Sequence, residues 1–110
     1  MSNRNFVAVN YIDCEPEYRQ RFEELFGSRA KQIDTMPGFV DMQVLRPSRE
    51  GDAYLIVSHW EDQQSFKAWT KSATFLEGHK RGFADLAKAK AEGKKAPMKS
   101  DFKTYEVIAR

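Results

Sequence analysis

A single cysteine, Cys14, leaves this chain without an internal disulfide, which suits a reducing compartment. Beside an expected helix start it reads as a structural thiol rather than a reactive one. Long hydrophobic runs are missing too. Nothing approaches the ~20 apolar residues that cross a bilayer. The N-terminal MSNRNFVAV lacks the apolar core and small-residue cleavage site of a secretory leader, so the expectation is a cytoplasmic protein without a membrane partner. Charge of one sign is equally scarce. With Lys+Arg 18 against Asp+Glu 16, the net charge of +2 is too small to imply nucleic acid.

At 110 residues the chain suits a single domain, 1–110, burying roughly two-thirds of the surface that its unfolded form exposes. Aromatics make up 13% of it, a lining suited to a large, flat, apolar partner. The late lysines Lys88, Lys90, Lys94, Lys95, Lys99 and Lys103 face only Glu92 and Asp101. They read first as a solvated face, second as an attraction for an anionic ligand or an acidic protein.

The alternation in Phe6–Ile12 predicts a buried strand, with Phe6, Ala8, Asn10 and Ile12 on one face and Val7, Val9 and Tyr11 on the other. Asn10 is the misfit, since an unpaired amide on an apolar face costs roughly 1–3 kcal/mol. Either it bonds nearby backbone or it is aimed at a ligand. Glu15-Pro16-Glu17 opens a helix whose apolar stripe is Tyr18, Phe22, Leu25, Phe26 and Ile33. Met36-Pro37-Gly38 is a turn, Phe39–Leu45 and Ala53–Trp60 form a hairpin, and Phe102–Ala109 is a closing strand. The stretch 91–100 reads as an aperiodic loop long enough to be a flap. His59 has no partner at ligand spacing and reads as structural.

The most informative stretch is WEDQQSFKAWTKSATFLEGHKR, from Trp60 to Arg81. In one continuous helix, Trp69 and His79 would lie ~15 Å apart along the axis. Ser72, Thr74 and Gly78 between them are cap and breaker residues, so a break is expected that lets the two share a pocket. Beyond it, His79, Phe83 and Leu86 share one helix face, as Phe66 and Trp69 do before it.

The order strand, helix, strand, strand, broken helix, strand is the ferredoxin-like α+β pattern, an antiparallel sheet with helices on one face. Its other face needs a cover, and a second copy of the same sheet would make a symmetric homodimer. The run W-E-x-x-x-x-F-x-x-W-x-x-S-x-x-F-x-x-x-H-K, with Asn10 in the first strand and M-P-G-F before the second, resembles the antibiotic-biosynthesis-monooxygenase superfamily. Within it, the chain is most similar to the bacterial haem-degrading monooxygenases of iron acquisition.

That resemblance implies a dimeric α+β barrel with haem between helices and sheet. It implies His79 as axial ligand of the haem iron, Trp69 against the porphyrin face, and Asn10 hydrogen-bonding near the oxygen-binding side. Phe66, Phe83 and a basic residue after the first helix, Arg29, would help to hold the haem. Haem would be both substrate and cofactor, opened with O2 and electrons from an external reductase or small reductant, and iron would be released. Two alternatives stand beside this. One is a cofactor-free monooxygenase of quinols or polyketides; the other is a haem carrier without chemistry.

Overall fold

Alternating β-branched and aromatic residues draw Phe6–Cys14 into a central strand, β1, because both of its neighbours can cover it. The computed structural model of the chain describes residues 5–27 and 31–110. Around β1 lie β2 (Phe39–Leu45), β3 (Tyr54–Trp60) and β4 (Met98–Glu106), in the antiparallel order β2-β3-β1-β4. The helices are α1 (Arg19–Gly27), α2 (Gln63–Thr70) and α3 (Ala73–Ala91). This is the expected ferredoxin-like α+β arrangement.

The register pairs Phe6 with Trp60, Ala8 with Ser58 and Ile12 with Tyr54, which fixes one apolar face of the sheet. Against that face pack Phe66 of α2, Phe22 of α1 and Ile33 from the short turn Lys31–Thr35. Trp60 is fully buried. Its ring meets Phe39, Phe66 and Trp69 at centroid distances of 5.3, 5.7 and 5.6 Å. Its indole N–H donates to Ser58 Oγ. The opposite face carries Val7, Val9, Tyr11, Leu55 and Val57. There Tyr11 and Tyr105 bring their hydroxyls within 3.3 Å, and His59 Nδ1 lies 2.8 Å from Asp41 Oδ1. The sequence reading gave His59 no acid partner. The β2–β3 register supplies one from 18 positions away.

Gly38 shows why a glycine ends the Met36-Pro37-Gly38 turn. Its φ is +81°, and a Cβ there would come within 2.1 Å of Ser65 Oγ. Its carbonyl accepts from Glu61 N at 2.8 Å, tying the start of β2 to the approach to α2.

Three expectations need correction. Gly78 does not break the helix but lies inside α3, and Thr74 is likewise a residue of the helix rather than its cap. One interior glycine costs about 1 kcal/mol in propensity, which a well-capped 19-residue helix carries. The closing strand begins at Met98, not Phe102, and ends at Glu106, so the aperiodic stretch shrinks to 92–97. As an edge strand exposed along nearly its whole length, β4 has no apolar alternation to reveal its start. Finally, a 3-10 turn, Pro16–Tyr18, precedes α1, and Ile33 packs from a separate turn rather than from the α1 stripe.

Polar ties fasten α1. Glu23 accepts from the Arg46 guanidinium and from the hydroxyl of buried Tyr54, which itself accepts from Arg19 Nε at 3.2 Å. Arg46 first, then Tyr54, hold the Glu23 carboxyl down at about 2. Asp85 of α3 accepts from Arg21 Nε at 2.9 Å and Tyr18 OH at 2.6 Å, and Arg21 chiefly lowers its pKa. Carboxyls depressed in the folded state add stability above their ordinary range and lose it as pH falls through the folded value. The urea midpoint is therefore expected to fall between pH 4.5 and about 2, and Glu23→Gln to flatten that fall. A variant with an unchanged pH slope would exclude Glu23 as the group responsible. Separately, Ser72→Ala removes the α3 cap and is expected to cost about 1 kcal/mol in chemical denaturation.

Candidate functional site

The break between α2 and α3 builds the site. Helix α2 ends at Thr70, and Ser72 caps α3 by accepting from Phe75 N at 3.1 Å. Because the chain turns there, Trp69 and His79 come to a ring separation of 6.0 Å, far inside the ~15 Å of an unbroken helix. Phe75 lies between them in sequence and touches both rings. Its own ring is 4.9 Å from Trp69 and 4.1 Å from His79.

His79 is held in one tautomer. Its Nδ1 lies 2.8 Å from the carbonyl oxygen of Phe75, which can only accept, so Nδ1 carries the proton. Nε2 then keeps its lone pair. Phe75 and Phe83 stack on the imidazole, each inclined by 27°. An imidazole oriented in this way presents Nε2 to the cavity as a nitrogen that could hold a metal or a metal-bearing cofactor. Among the described residues no group of three His, Cys, Asp or Glu could hold a bare metal ion.

His79 and Trp69 line a cavity of about 500 Å³ between helices and sheet. The sheet contributes Ala8, Asn10, Ile56 and Ser58 from its two central strands, Met42 from one edge strand and Ser100 and Phe102 from the other. Phe66 stacks on Phe102 at 5.4 Å, and Phe83 and Phe102, each about half exposed, form the rim. A second lobe of about 160 Å³ adjoins it, sharing Asn10, Phe26, Ile56, His79, Phe83 and Ser100.

Two buried polar atoms of the lining have no hydrogen-bond partner among the described residues: Asn10 Oδ1 and Trp69 Nε1. One accepts and the other donates. Folded proteins leave few such atoms, and each costs about 1–3 kcal/mol. Asn10 is therefore not a strand-end amide satisfied by backbone, and a ligand able to meet both atoms would recover that cost.

The structure thus brings Asn10, Phe66, Trp69, His79 and Phe83 to one cavity. Arg29 lies outside the described residues. Sequence reasoning missed Phe75, Phe26, Met42, Ser100 and Phe102, and it took Thr74 for a cap although Thr74 lines the cavity. Phe75 was findable, lying one helical turn before His79. Phe102 was not, because its place depends on the β1–β4 register.

Residues 5–81 match the family described as antibiotic biosynthesis monooxygenase. A "Heme oxygenase (mycobilin-producing)" of Mycobacterium tuberculosis is 35% identical over 63 residues, 57% of this chain and 60% of that protein. The match thus spans less than two-thirds of the relative's own length. A "Heme oxygenase (staphylobilin-producing)" of Staphylococcus haemolyticus is 29% identical over 76 residues, 67% of this chain and 72% of that protein. Among solved structures, the heme degrader MhuD of M. tuberculosis, with two hemes bound in its active site, is similar at TM-score 0.68 and 26% identity, covering 96% of this chain and 97% of that one. The cofactor-independent oxygenase SnoaB of Streptomyces nogalater, at TM-score 0.69, 20% identity and coverage of 97% and 96%, shares the fold alone.

If Asn10 is kept unpaired for a ligand, Asn10→Val is expected to stabilise the ligand-free protein by about 1 kcal/mol in urea. Destabilisation instead would mean that the amide already has a structural role.

Proposed function

This chain belongs to the antibiotic biosynthesis monooxygenase family, and from that premise we propose that it is a haem-degrading monooxygenase. It binds haem and opens the porphyrin with O2 and external electrons, releasing iron and a linear tetrapyrrole. The observation that carries the proposal is His79 in the cavity wall, with Nδ1 committed to the Phe75 carbonyl and Nε2 left as the nitrogen that would hold the iron. The residues fit the group. The cavity is largely apolar and aromatic, and its volume lies in the range of small-molecule sites.

Haem, when bound, supplies the redox iron and is itself the ring that is opened. The chain supplies position. Phe75 and Phe83 clamp the His79 ring from the sides and so fix its approach to the ligand. Trp69, backed by buried Trp60 at 5.6 Å, would stand as a firm indole wall against a flat substrate and so help to set its shape. Asn10, on the central strand, would offer the bound substrate or oxygen an amide that does not titrate. Phe66 and Phe102 form an apolar wall. Arg29 is assigned by resemblance to an anionic edge of the substrate. A second copy is proposed to cover the open sheet face, and a reductase or small reductant to supply electrons. No helix among the described residues is long and apolar enough to cross a membrane, and we place the reaction in the cytoplasm.

The test mixes the protein with haemin, ascorbate and catalase in air and follows the Soret band and free iron. Soret loss with iron release is expected, slowed about 100-fold or more in His79→Ala. Trp69→Ala is expected to bind haem but open it about tenfold more slowly. A stable Soret band would leave a carrier, and no Soret shift would leave a cofactor-free oxygenase.

A further inference from the structure

The 160 Å³ lobe has a use that the haem reading leaves unassigned. Most of its wall is apolar: Ile12, Phe22, Leu25, Leu86 and the thioether of Met98, with Gly82 between them. Its polar side chains are Asn10, His79 and Ser100, which line both spaces, and Arg81, which lines the lobe alone. On the helix side, Arg81 reaches from α3 to the Leu25 carbonyl of α1 at 2.9 Å, and Asp85 holds Tyr18 and Arg21. These bonds pin the two helices beside the lobe, which shares six lining residues with the cavity.

Gly82 is the informative residue. It stands inside α3, where glycine costs more backbone entropy than alanine would. No positive φ requires it, since the positive-φ glycines are Gly38, Gly51 and Gly93. Nor does a clash forbid a side chain. A Cβ at this position would meet only the Met98 methyl, at 3.6 Å, an ordinary contact. What the missing side chain preserves is the lobe.

We propose that this lobe is a binding site for dioxygen, a small apolar molecule, held open by Gly82 and delivering O2 past Asn10 to the haem cavity. The inference rests on the haem-degrading reading for its use, but not for its test. Apolar walls around a space of about 150 Å³ favour small apolar molecules such as xenon or benzene. The lobe is of that size and too small for a tetrapyrrole.

Dioxygen is paramagnetic and speeds the relaxation of nuclei beside it, which allows a test on the haem-free full-length chain. With methyl-labelled methionine under oxygen pressure, Met98 in the lobe is compared with Met42 in the main cavity. The oxygen-induced relaxation of Met98 is expected to exceed that of Met42 about threefold or more. Gly82→Leu, which fills the lobe, should remove the excess. Gly82→Ala should raise the melting temperature by about 3 °C and reduce the excess. Equal relaxation at the two methyls would overturn the proposal whatever the protein does to haem. In turnover, both variants should raise the KM for O2 and leave haem affinity within about twofold. A tenfold loss of haem affinity with unchanged KM for O2 would instead assign the lobe to the tetrapyrrole and overturn the oxygen site.

Discussion

One hydroxyl joins the two halves of the site. Ser72 Oγ donates to the Trp69 carbonyl at 2.6 Å and accepts from Phe75 N at 3.1 Å. It thereby adds a bond to a carbonyl at the end of α2 that also accepts from Ser72 N at 2.9 Å, and it satisfies an amide left over at the start of α3. Everything chemical depends on that turn. Without it the indole and the imidazole would lie on one rod, at different heights, with no space between them to enclose. With it, Trp69, Phe75 and His79 form a contiguous aromatic cluster whose carbonyl also selects the His79 tautomer.

The site combines a rigid back and an unsatisfied front. Behind Trp69 stands Trp60, wedged among Phe39, Phe66 and the Ser58 hydroxyl. In front, Asn10 Oδ1 and Trp69 Nε1 have lost water without gaining a partner among the described residues. Close packing behind a reactive surface is what keeps such atoms from relaxing into each other or into the backbone. The polar ties of α1 show the contrast, since Glu23, Arg46, Tyr54 and Asp85 all have hydrogen-bond partners.

Much of this was legible in the sequence, for physical reasons. Alternation exposed β1, helical spacing exposed α1 and α3, and Asn10 betrayed the site by being the wrong residue on an apolar face. The need for a break between Trp69 and His79 was likewise readable, although Gly78 shared the blame for a stop that Ser72 makes alone. Illegible were the features that depend on register. Asp41 beside His59, Phe102 on Phe66, and Ser100 in the cavity wall all arise from pairing between strands far apart in the chain. The start of β4 was hidden because an exposed edge strand keeps polar residues on both sides.

Strand β4 lies beyond the segment that matches the family, yet its Ser100 and Phe102 wall the cavity. As an edge strand it has one neighbour, β1, and most of its side chains are bathed in solvent. Substitutions there disturb little of the core, unlike substitutions at Trp60 or Phe22. The fold therefore builds part of its cavity wall on a piece of chain remote in sequence from the Trp69–His79 pair. Mutation of β4 can reshape what the cavity admits while leaving the Trp69–His79 pair intact, an evolvable division between sheet edge and helices.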